Sequence, residues 1–155
     1  MNRIFALLTA AALTLSPALA KDYSEAETDT MNHALMDYAL NSPGNYLYEN
    51  KGFDFYLYLQ DHDANAAFIQ SFGDAGNKLK PWSSAVHLKV TREMMESGHA
   101  PMKITISDYH AIAPDQARAF VDARCGMTCG GQNLVTLQKT AKGWTVTKFE
   151  NVGEE

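Results

Sequence analysis

Two cysteines stand in Arg124-Cys125-Gly126-Met127-Thr128-Cys129-Gly130-Gly131. Three residues separate the thiols and glycines flank them, so Cys125 and Cys129 can come within disulfide reach in an oxidising compartment. Closing so small a loop constrains the unfolded chain by roughly 2 kcal/mol at most. A thiol–disulfide redox centre is the competing chemistry. Such centres hold two residues between the cysteines and place the first at a helix N-terminus, which lowers its pKa, whereas this pair lies between two predicted strands. Zinc needs four ligands, and two cysteines with no histidine pair at finger spacing supply half a site. The pair therefore reads as a structural clip on a hairpin.

The other residues able to do chemistry are dispersed. The histidines are His33, His62, His87, His99 and His110. Asp61-His62-Asp63 has metal-binding side chains, but adjacent residues point apart in a strand or a helix, so the run reads as an Asp-rich helix start. His87 and His110 fall on the polar sides of their predicted strands. No Gly-x-Ser-x-Gly nucleophile turn and no phosphate-cradling Gly-x-x-x-x-Gly-Lys loop occurs. Asp108, His110 and Asp122 are the first candidates for an acid–base site assembled inside a curved sheet. Neither a metal site nor a cofactor is expected.

The densest aromatic region is Tyr46, Tyr48, Phe53, Phe55, Tyr56 and Tyr58. Core and sheet packing accounts for most of it, since tyrosine suits a half-buried strand. The sharper expectation is that Asp54, Tyr56, Tyr58 and Gln60, alternating along one side, form a binding surface, because tyrosine offers contact area and a hydroxyl together.

The compartment comes from the start of the chain. Residues 1–20 open on Arg3 and run uncharged from Ile4 to Leu15. They then pass helix-breaking Pro17 and close on Ala18-Leu19-Ala20. This is the pattern of a cleaved secretory signal peptide. The apolar run is about a dozen residues, against roughly twenty needed to span a bilayer. Lys21 stands where a lipoprotein would carry its cysteine. Periplasmic or secreted release of residues 21–155 without a membrane anchor is the expectation. Cleavage would move the formal charge from −5 to −6, an acidic balance that argues against nonspecific binding to nucleic acid or anionic lipid.

The elements that must position these residues form one α+β domain with a short acidic tail, Gly153-Glu154-Glu155. Ser24 and Glu27 have capping-box spacing. Met31, Ala34, Leu35 and Tyr38 then recur at helical intervals as far as Leu40, and Asn41-Ser42-Pro43-Gly44-Asn45 ends the helix. Phe53, Phe55, Leu57 and Leu59 alternate as a strand. A second, shorter helix is expected with Asp61 or Asp63 as its cap, Ala64, Ala67, Phe68 and Phe72 inside, and Gly73 as its stop. Strands are predicted over Val86–Thr91, around Ile104 and Ile106, across Ala117, Ala119 and Val121, and from Val135 and Leu137 through Ala141-Lys142-Gly143 to Trp144 and Val146. Short connections predict an antiparallel meander. N-terminal helices packed on a curved antiparallel sheet, in the manner of nuclear transport factor two-like or cystatin-like folds, is the expected architecture.

The run Cys125-Gly126-Met127-Thr128-Cys129-Gly130-Gly131, with Leu137-Gln138-Lys139 and Gly143-Trp144-Thr145-Val146 after it, resembles the C-terminal hairpin of a loose set of uncharacterised bacterial exported domains. In these a Cys-Gly-x-x-Cys-Gly turn precedes a strand, a short basic loop and a Gly-Trp-x-Val strand. Lys80-Pro81-Trp82-Ser83-Ser84 looks like the Pro-x-Ser segment before their first sheet strand. The resemblance covers at most the second half of the chain. It implies an exported α+β fold in the cell envelope and brings no catalytic residues.

The expected function is a non-catalytic binding protein of the bacterial envelope, meeting an envelope protein or a small ligand. An enzyme with a dispersed site and an inhibitor or immunity-type protein are the alternatives. The cysteine reading has a direct measurement: protein recovered from the envelope should gain the mass of two hydrogen atoms on reduction. Two thiols alkylated under non-reducing conditions would sink the clip.

Overall fold

The computed structural model describes residues 23–49, 53–76, 78–85, 89, 91–97, 101–125 and 130–154. Residues 1–20, read above as a signal peptide, and Cys129, His87 and His99 lie outside these residues. Helix α1 spans Glu25–Asn41. Its first turn is held as the capping-box spacing implies. Ser24 Oγ accepts from the Glu27 amide at 3.3 Å and donates to Glu27 Oε2 at 3.4 Å. Met31, Leu35, Met36 and Ala39 form its buried stripe. The Ser42 amide bonds the Tyr38 carbonyl, and Pro43 prevents a further turn. A single helical turn, α2 (Tyr46–Glu49), follows.

Strand β1 (Phe55–Leu59) buries Phe55, Leu57 and Leu59 as expected, and Tyr56 on the opposite face as well. The anticipated helix start at Asp61 or Asp63 is instead a tight hairpin. Gln60 and Asp61 take φ of +45° and +65°, the conformation of a two-residue turn matched to strand twist, and lead into β2 (His62–Asp63). Asn65 is the cap of the short helix α3 (Ala66–Gln70), its side chain accepting from the Phe68 amide at 2.8 Å. Gly73, expected to stop that helix, opens another turn, α4 (Gly73–Gly76). Strand β3 (Leu79–Pro81) and a 3-10 turn at Trp82–Ala85 follow. Of the strand predicted over Val86–Thr91, residues 86–88 and 90 lie outside the described residues. Thr91 caps α5 (Arg92–Glu96).

The second half is the expected meander. It comprises β4 (Met102–Ala113), β5 (Gln116–Arg124), β6 (Gly130–Thr140) and β7 (Gly143–Glu154), each antiparallel to the next. The supposed tail residues Gly153 and Glu154 complete β7 opposite Gln132 and Gly131. Gly130 has a specific reason to be glycine, because a Cβ there would stand 2.5 Å from the Ala123 carbonyl oxygen across the ladder. The sheet is not antiparallel throughout. One side of β1 runs parallel to β4, and its other side is shared between parallel β3 and antiparallel β2. The result is a seven-stranded sheet dominated by antiparallel pairs, with strand order β2-β1-β4-β5-β6-β7.

One face of this sheet carries the core. Ile104, Ile106, Ala117, Ala119, Val121, Val135 and Leu137 meet Met31, Leu35 and Met36 of α1. A bulge in β4 sets the helix position. Up to Ile106 the even-numbered residues point inward. Asp108 then takes φ +55° in a register shift between Ser107 and His110, and the inward side passes to odd residues, as an extra residue in a two-residue repeat requires. Tyr109 thereby turns inward and donates to Asn32 Oδ1 at 2.8 Å, joining sheet to helix where Asn32 is 2 % exposed. Burial raises the Tyr109 phenol far above its ordinary value of 10.0. The folded state keeps that proton while the unfolded chain releases it above about pH 10, so this contribution to stability is present below pH 10 and declines as pH rises beyond it. Tyr109→Phe should lose about 1–3 kcal/mol at neutral pH, because Asn32 Oδ1 loses its donor. Chemical denaturation at pH 7 and pH 11 should also show a shallower alkaline decline in the variant.

Candidate functional site

Three of the four residues of the expected aromatic surface, Asp54, Tyr56 and Tyr58, make side-chain contacts within the fold. Asp54 Oδ2 accepts from Lys80 Nζ at 2.7 Å. That bond holds the Lys80 ammonium above its ordinary 10.5, against an opposing desolvation. Tyr56 is 4 % exposed, with Lys80 Nζ 5.6 Å from its ring. The Tyr58 hydroxyl donates to the Asp61 carbonyl at 2.9 Å. Lys103 Nζ lies between the Tyr58 and Trp82 rings, at 4.4 and 4.7 Å from their centroids, a cation–π arrangement that covers both faces. Gln60 sits in the hairpin turn. The lysines from β3 and β4 thus occupy the area that the tyrosines would otherwise present.

Asp108 and His110 stand two residues apart in β4, both exposed, and Asp122 lies on β5. His110 pairs with Arg118 and Asp122 with Thr105. Four residue steps along β5, from Arg118 to Asp122, separate them by about 13 Å. Asp122 is held by Arg124 at 2.8 Å. His62 Nδ1 donates to the Gln60 carbonyl at 2.8 Å. Among the described residues, no three His, Cys, Asp or Glu side chains are grouped to hold a metal ion. Cys125 is buried at the end of β5.

A cleft of about 780 Å³ opens between α1, α3 and the β6–β7 turn. From α1 it receives Asp29, Thr30, His33, Ala34 and Asp37, from α3 Ala67 and Phe68, and from the opposite wall Lys142, Gly143 and Trp144. Asp29, His33 and Asp37 follow one another at four-residue intervals, which places them along one side of the helix. The His33 ring stacks on Phe72 at 4.5 Å and meets the edge of Phe68 at 5.7 Å. Its Nε2 lies 2.7 Å from Ser71 Oγ, a contact spanning 38 residues of sequence.

A serine beside a histidine is the geometry of an activated nucleophile, so the position of each proton decides what the pair can do. Ser71 Oγ donates its single proton to the Phe68 carbonyl at 2.5 Å. With the hydroxyl proton on that carbonyl, the oxygen accepts from the imidazole, an arrangement that goes with the Nε2–H tautomer of His33. The Ser71 and Phe72 amides, which an oxyanion beside Ser71 would use, bond the carbonyls of Ala67, Phe68 and Ile69. The contact braces the end of α3 against α1.

Trp144 forms part of the cleft wall and is 6 % exposed. Tyr23 meets its ring edge-on at 5.9 Å, and Lys139, paired with Glu27 at 2.8 Å, lies 5.7 Å from it. The indole Nε1 has neither a protein partner nor access to solvent. Asp37 accepts from Asn41 of the same helix at 2.8 Å.

Sequence reading passed over this cleft because its decisive contact joins α1 to the end of α3. The local trace was the Asp29-His33-Asp37 spacing on the exposed side of a helix. Comparison with family models, curated proteins and solved structures returned no match to this chain.

The proton order can be measured. Long-range proton–nitrogen correlation spectra of neutral His33 should show the Nε2–H tautomer, and Ser71 should stay unlabelled by a fluorophosphonate probe. An Nδ1–H tautomer with labelled Ser71 would restore the nucleophile.

Proposed function

We propose that this chain is an exported, non-catalytic binding protein of the bacterial envelope whose released domain captures a small ligand in the α1–α3 cleft. The observation that carries the reading is the cleft itself. It falls within the size range of small-molecule sites, about 300–1,000 Å³. It combines apolar wall from Ala34, Ala67 and Phe68 with the charged groups Asp29, Asp37 and Lys142.

Export is supported by the signal-peptide pattern of residues 1–20. No helix among the described residues is long and apolar enough to cross a membrane. A clip between Cys125 and Cys129 would suit that compartment. The resemblance to bacterial exported domains with a Cys-Gly-x-x-Cys-Gly hairpin points to the same address. A sheet wrapped around a long N-terminal helix in the nuclear transport factor two-like or cystatin-like manner is supported by α1 lying across the inner face and by the bulges in β4 and β7. The separation of His110 from Asp122 weighs against an acid–base site that uses both.

Trp144 provides the assay. With Trp82→Phe, Trp144 becomes the sole tryptophan of the chain. The low-molecular-weight fraction of an envelope extract should then shift its emission and raise the unfolding temperature. A ligand at about 100 times its Kd adds about 2.7 kcal/mol. Ala67→Arg, at an exposed position on the cleft wall, should abolish the response while leaving the unliganded unfolding temperature unchanged. An inert Trp144, together with a stoichiometric protein partner recovered from the same extract, would favour the inhibitor reading instead.

A further inference from the structure

We draw no further inference here: the strongest candidate, the polar pocket of about 490 Å³ between the Gln60-Asp61 turn and the Asp108 bulge of β4, rests on two exposed carboxylates and left-handed backbone, and nothing in the structure shows what would fill it.

Discussion

The bond from Tyr109 to Asn32 couples the two halves of the molecule. It exists because the Asp108 bulge shifts β4 by one residue and turns a tyrosine into the core facing α1. Without that shift, position 109 would face the other side of the sheet, and the buried Asn32 amide would have no donor there. Once Asn32 and the apolar stripe of α1 are committed to the sheet, helical geometry leaves Asp29, His33 and Asp37 for the open side. A local irregularity in a strand thus helps decide which residues of a distant helix form the cleft.

The elements readable in the sequence were those whose signals are local. The Ser24 cap, the 3.6-residue repeat of α1 and the alternation of β4 through β7 need only neighbours a few residues away, and all appear where expected. The parallel pairing of β1 with β3 and β4 does not, because the connection from Leu59 to Met102 carries no pattern that names its destination. The hairpin at Gln60-Asp61 was read as a helix start because it has left-handed backbone without the glycine that usually announces such a turn. The cap role passed to Asn65, the first suitable side chain after β2. The candidate site was less legible still. Tyr56 and Tyr58 were legible as a half-buried face, but the lysines that cover them come from β3 and β4, and Ser71 reaches His33 only after α3 docks.

The sheet edges carry features that disfavour pairing with a further strand. β2 and β3 are two and three residues long and offer little ladder. β7 is the long edge, and it is interrupted twice. The register steps from Lys148 to Val146 and from Gly153 to Asn151, leaving Thr147 and Val152 unopposed. Such bulges twist an edge away from a flat template, and Lys148 adds a charge that a second strand would have to accommodate. The half-exposed Val152 is thus a bulge residue on a guarded edge rather than part of an apolar docking face.

The cleft separates the residues that build it from those that give it charge. A five-residue helix has no stability of its own in water, so α3 stays in place through contacts with the rest of the fold. The Phe68–Phe72–His33 cluster and the Ser71 bond supply them. His33 and Ser71 are consequently structural, and changing either would alter the wall whatever the ligand. Asp29 contributes nothing to that bracing, and the bond to Asp37 comes from its own helix. Charge at either end of the cleft can therefore be changed while its walls remain, which makes recognition and architecture experimentally distinct. An activated serine–histidine pair would lack this independence, because the proton that makes Ser71 a nucleophile is the one that ties it to α3.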